Sequence, residues 1–132
     1  MKGKIMTKDF RTGLAKAKGM GSAKSGMHHW LMQRATAVII ALCIIWIFAF
    51  AHSISGKSPS DIVLTLQKPQ NAIILMILIM TSFYHAALGM QVVIEDYVPN
   101  LCARYGLIFG IKLFSYITII ASLAALVYLM VL

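Results

Sequence analysis

Residues 71–97 read NAIILMILIMTSFYHAALGMQVVIEDY, an apolar run from Asn71 to Ile94 that stops abruptly at Glu95, Asp96 and Tyr97. A helix needs about 20 predominantly apolar residues to cross the hydrocarbon of a bilayer, at about 1.5 Å of rise each, and this run is long enough. Inside it lies an ionisable side chain, His85. An unsatisfied polar group in hydrocarbon costs several kcal/mol, so a histidine at that depth needs a partner. Neutral imidazole is a good metal ligand and a common axial ligand of haem iron. A lone histidine in a span, with no second ligand in the same chain, suggests a cofactor shared with a neighbouring protein of the same complex. The competing reading is helix packing, in which Ala86, Ala87 and Gly89 let a second helix approach and His85 hydrogen-bonds across the contact.

Two further apolar stretches flank this one, from about residue 35 to 51 and from about 106 to 132. The 132 residues are 60% hydrophobic and 12% charged, too apolar for a soluble domain of this length. Backbone groups in hydrocarbon must be satisfied internally, so helices are the spanning structure expected. The fold class is therefore an all-α membrane protein with three transmembrane helices, at about 31–52, 70–95 and 104–131. They form one domain over 1–132, with residues 1–30 as an arm and interfacial segment.

The cations set the expected orientation. Of twelve Lys and Arg, seven (Lys2, Lys4, Lys8, Arg11, Lys16, Lys18 and Lys24) precede Arg34 at the threshold of the first span. A net charge of +8 in other circumstances would suggest nucleic acid, but cations flanking a span follow the positive-inside rule instead. The N-terminus is then cytoplasmic, the loop from His52 to Gln70 lies outside, Asp96 and Tyr97 return to the cytoplasmic side, and the C-terminus is on the outer, periplasmic side. Ala49-Phe50-Ala51 resembles a signal-peptide cleavage site, but the charged region before it exceeds thirty residues, so the first helix is expected to be retained. Cys43 and Cys102 are too few and too separated for a metal-ligand pattern.

Residues 1–27 are rich in Lys and Gly and read as a cytoplasmic arm, either a solvated topology signal or a docking segment. Trp30, after His28 and His29, suits the headgroup region. In the outer loop, Pro59 is placed to open a short surface helix reaching Leu66, and Pro99 and Asn100 break the chain after the second span. Lys112, about a turn and a half into the third span as delimited, is expected to snorkel to the inner surface.

Several side chains fit chemistry around His85. Gly89 is four residues on and shares its helical face, where the missing side chain lets a porphyrin or a neighbouring backbone come close. Arg34 either snorkels or pairs bidentately with carboxylates such as haem propionates. His28 and His29 sit at interfacial depth, where ligation is not expected. The Tyr97 hydroxyl is suited to bonding a quinone carbonyl, with Asp96 as proton relay or orienting partner; the alternative is a belt tyrosine beside a loop carboxylate. Twelve residues of helix separate His85 from Tyr97, about 18 Å.

Two segments carry a family resemblance. Gly19-Met20-Gly21-Ser22-Ala23-Lys24-Ser25-Gly26, with His28-His29-Trp30 and Gln33-Arg34-Ala35-Thr36-Ala37, is followed by His85-Ala86-Ala87-Leu88-Gly89 and Gln91-Val92-Val93-Ile94-Glu95-Asp96-Tyr97-Val98. In order and spacing the chain resembles the smaller hydrophobic membrane anchors of succinate dehydrogenase, respiratory complex II. The resemblance implies an oxidoreductase component of electron transport and the tricarboxylic acid cycle that is not catalytic alone. It implies as partners a flavoprotein, an iron–sulfur protein and a second membrane anchor, together with the lipid bilayer and no nucleic acid. No FAD or iron–sulfur cluster would belong to this chain. It would share haem b with the second anchor, His85 being one axial ligand to the iron, and would help form the site where ubiquinone is reduced. By position, Arg34 and His28 would lie near the propionates, Gly89 against the haem, and Tyr97 with Asp96 at the quinone. A bacterial inner (plasma) membrane is expected in preference to a mitochondrial one. The alternatives are an anchor of a fumarate reductase, and a non-redox three-helix accessory or assembly protein.

Overall fold

The computed structural model describes Thr12 and residues 26–131. The reading of residues 1–27 as an arm therefore falls almost entirely outside the described residues. From Gly26 onward the chain forms four helices, α1 (Gly26–Ile54), α2 (Pro59–Leu66), α3 (Pro69–Tyr97) and α4 (Leu101–Val131). Three of them, α1, α3 and α4, are long and apolar enough to cross a membrane. At 29 residues, α1 and α3 are each about 44 Å long, more than the roughly 30 Å of hydrocarbon. Their ends therefore reach beyond the apolar runs. Helix α1 begins at Gly26 and α4 at Leu101, earlier than the expected 31 and 104, because helix stops are set by local backbone chemistry and not by the edge of the oil.

Each turn has an identifiable cause. Gly56, at φ +74, turns the chain after α1 in the left-handed region that glycine occupies without penalty. Ser58 caps α2 by accepting from the Asp61 N–H at 3.3 Å, with Pro59 in the first turn and Asp61 complementing the helix dipole. The short surface helix expected from Pro59 to Leu66 is present with those bounds. Asn71 Nδ2 donates to the Thr65 carbonyl at 2.7 Å, and Gln67 Nε2 donates to the Leu129 carbonyl at 2.9 Å, which fastens this connection to the end of α4. At the opposite end, Asn100 Oδ1 accepts from the Ala103 N–H at 3.2 Å and starts α4, while Arg104 Nε donates to the Val98 carbonyl at 3.0 Å. The connection between α3 and α4 is thereby limited to residues 98–100.

Helix α3 is the middle element, packed against α1 on one flank and α4 on the other. Small side chains are prominent among the buried positions: Thr36 and Cys43 on α1, Ala72 and Ala87 on α3, Ser115 on α4. With hydrocarbon as the alternative surroundings, membrane helices gain by close packing of small residues more than by hiding apolar ones. Most large apolar side chains, such as Phe48, Phe109 and Phe114, are accordingly exposed.

Lys112 is deeper than the sequence suggested. It lies eleven residues beyond Leu101, about 16 Å along α4 and not a turn and a half. With Tyr84, Ala87, Leu88, Ser115, Tyr116 and Ile119 it lines a small cavity of ≈ 20 Å³. Since Tyr84 precedes His85, Lys112 is close to the level of His85 in the bundle.

Candidate functional site

His85 sits midway along α3 and turns toward α1. Its Nδ1 is 2.9 Å from Thr36 Oγ1, and its Nε2 is 3.4 Å from Gln33 Nε2. Thr36 and Gln33 are three residues apart on α1 and so share a face. Thr36 is buried and its hydroxyl also reaches the carbonyls of Met32 (2.8 Å) and Gln33 (3.1 Å). The demand that a histidine in hydrocarbon find a partner is thus met across the α1–α3 contact.

Gly89 makes that contact possible. A Cβ there would come within 3.3 Å of Gln33 Nε2. Across Gly89 stands a side-chain amide of α1, pressed into the space that any other residue would fill.

Toward the Gly26 end of α1, a groove of about 440 Å³ opens between α1 and α3, lined by Gly26, His29, Trp30, Gln33, Gln91 and Glu95, with Val92. Gln91 Nε2 donates to Glu95 Oε1 at 2.7 Å on its wall. Two of its lining residues carry the buried polar side-chain atoms that lack a hydrogen-bond partner among the described residues, His29 Nε2 and Gln33 Oε1. Such atoms cost stability unless something outside the chain satisfies them.

The other expected site residues are distributed around this centre. Arg34 lies in sequence between the two residues that touch His85, and is exposed with its guanidinium carbon 5.8 Å from the centre of the Trp30 ring. That distance is within the range of a cation–π contact. His28 is exposed in the first turn of α1, which already runs as helix there. Asp96 and Tyr97 end α3, both exposed, Tyr97 at 81%. Because α3 is helical throughout, the separation of about 18 Å between His85 and Tyr97 holds. The structure joins His85 to Gly89 through Gln33; Arg34, His28, Asp96 and Tyr97 stand apart as exposed groups.

Thr36 and Gln33 belong to the motif that follows Trp30, yet the sequence alone assigned them no role. The available signal was their spacing: two hydrogen-bonding side chains three apart, on one face of an apolar helix. Among the described residues no three His, Cys, Asp or Glu side chains gather to hold a metal ion. A group bound at His85 would thus have a single protein ligand from this chain.

Comparison with known proteins agrees with the resemblance. Residues 8–130 match the family described as succinate dehydrogenase/fumarate reductase transmembrane subunit. The chain is 50% identical over 123 residues to the succinate dehydrogenase hydrophobic membrane anchor subunit of Rickettsia bellii, covering 93% of this chain and 98% of the relative. It is 46% identical over 124 residues to the same protein of Rickettsia conorii, with 93% and 98% covered. To its counterpart in Paracoccus denitrificans it is 27% identical over 111 residues, with 83% and 84% covered. The chain belongs to the succinate dehydrogenase/fumarate reductase transmembrane subunit family, among its hydrophobic membrane anchors.

Proposed function

We propose that this chain anchors a succinate:ubiquinone oxidoreductase in a bacterial inner membrane, contributes one axial ligand to a shared haem b, and forms part of the ubiquinone-reduction site. The observation that carries the reading is His85, an imidazole in a membrane span of a succinate dehydrogenase anchor, oriented by α1 and followed twelve residues later by an exposed tyrosine. The non-redox alternative loses its basis with the family assignment. The names of the relatives favour succinate oxidation over the fumarate reductase direction.

The residues present fit a haem with one ligand from this chain. Nδ1 of His85 is engaged by a hydroxyl, and Nε2 meets only the long 3.4 Å contact with the Gln33 amide, which a stronger ligand displaces at little cost. The unpartnered Gln33 Oε1 and His29 Nε2 in the adjoining groove are further polar atoms for which a partner or cofactor would supply hydrogen bonds. His85 would hold the iron, and Arg34, with His28 one and a half turns nearer the end, would offer cationic and hydrogen-bonding groups to the propionates. When bound, haem supplies one-electron transfer.

The work of this chain is to hold and position. Its three spans fix the soluble components to the bilayer. Its exposed apolar faces supply the surface against which a second membrane anchor packs. Ubiquinone reduction consumes two electrons and two protons, and the Tyr97 hydroxyl would donate a hydrogen bond to a quinone carbonyl, with Asp96 beside it at the aqueous edge to pass a proton. That arrangement requires the Gly26/Tyr97 end to face the cytoplasm, which agrees with the cations before Arg34. The test is the assembled complex carrying His85→Ala: the b-type absorbance should disappear while succinate oxidation with an artificial acceptor continues. An unaltered band would remove His85 from the ligand role.

A further inference from the structure

We infer that Thr36 is the positioning residue for His85: its hydroxyl fixes the ring in the Nδ1–H tautomer and aims Nε2 outward as the ligating nitrogen. The inference rests on the proposed haem reading. Three short approaches converge on Thr36 Oγ1, from the Met32 carbonyl at 2.8 Å, the Gln33 carbonyl at 3.1 Å and His85 Nδ1 at 2.9 Å. A threonine hydroxyl has one hydrogen and two lone pairs. Within a helix that hydrogen is drawn to the carbonyl a turn back, and here two carbonyls compete for it. The oxygen is then left to accept, and only a protonated Nδ1 satisfies it. The second contact requires the same tautomer, since the Gln33 amide nitrogen can only donate, and so needs an unprotonated Nε2. Two independent neighbours on α1 therefore select one form of the ring.

Ligating histidines are held in this way by an acceptor at the other nitrogen, which fixes the tautomer and raises ligand basicity. Here the acceptor belongs to the same chain, one helix away, and is buried, so the ring is prepared before any partner arrives. The methyl group of Thr36 is incidental to this role and the hydroxyl is essential, which separates positioning from packing.

The experiment compares Thr36→Val, which keeps the shape and removes the hydroxyl, with Thr36→Ser, which keeps the hydroxyl. Both are read in the assembled complex by the haem-to-flavin ratio and the haem midpoint potential. Thr36→Val should weaken haem retention by about tenfold or more and raise the potential of the haem that remains, because a ring that has lost its acceptor donates less to ferric iron. Thr36→Ser should restore both. A wild-type ratio and potential in Thr36→Val overturns the proposal. Should valine block assembly, the same exchange in a His85→Ala background decides: a defect that persists without the imidazole overturns the proposal, and one that vanishes supports it. A haem band retained in His85→Ala alone would instead refute the ligand reading on which the inference rests. A band lost there, with Thr36→Val unchanged, leaves that reading standing and this inference refuted.

Discussion

Thr36 Oγ1 on α1 and His85 Nδ1 on α3 lie 2.9 Å apart, 49 residues apart in sequence. This contact answers the question that a histidine in hydrocarbon raises. The ring is neither stranded nor turned to lipid but braced by a neighbouring helix, with its second nitrogen held only weakly. Bracing one nitrogen and sparing the other is the arrangement an axial ligand needs, and a histidine used purely as packing glue has no use for the difference.

The approach of Gln33 to Gly89 limits what can replace the glycine. Gly89→Ala places a Cβ 3.3 Å from a flexible amide that can shift by a few tenths of an ångström, so the complex should assemble with only a slight loss of thermal stability. Gly89→Leu cannot be accommodated that way and should cost about 1–3 kcal/mol by forcing α1 and α3 apart. Thermal melting of the purified complex checks both; equal stability of the two variants would contradict the close approach.

Tyr97 ends α3 with its side chain largely exposed, so Tyr97→Phe should leave the fold and the haem content intact. Losing a hydrogen bond worth about 1.5–3 kcal/mol to a developing charge should slow ubiquinone reduction about 10- to 100-fold. The comparison to make is steady-state quinone reductase activity against activity with an artificial acceptor. Equal quinone kinetics in the variant and the wild type would take Tyr97 out of the quinone site.

Cys102 is exposed at the start of α4, at the same end of the bundle as Tyr97, while Cys43 is buried within α1. A membrane-impermeant maleimide should therefore label Cys102 in inverted membrane vesicles and not in intact spheroplasts. Ser55→Cys, in the connection at the other end, should show the reverse. Labelling of Cys102 from outside the cell would invert the orientation inferred from the Lys-rich segment.

Much of this architecture was legible in the sequence because hydrocarbon imposes a simple rule: apolar length gives the spans. The short helix α2 was equally readable, since Ser58, Pro59 and Asp61 are local signals that act on their own backbone. Helix ends were less so, because a helix continues past the hydrocarbon until something such as Gly56 or Asn100 stops it. That is why Lys112 proved to lie about three turns into α4. His85 could be singled out by its chemistry, but Gln33 and Thr36 could not, since their roles depend on which faces of two distant helices meet. A single chain records its own periodicity and not the rotation of one helix against another.

The decisive measurement is a dithionite-reduced minus oxidised absorbance spectrum of the detergent-solubilised complex, wild type beside His85→Ala. A b-type band in the wild type that is lost in the variant, with succinate oxidation by an artificial acceptor preserved, is the expected result. A band of the same height and position in both would contradict the assignment of His85 as an axial ligand.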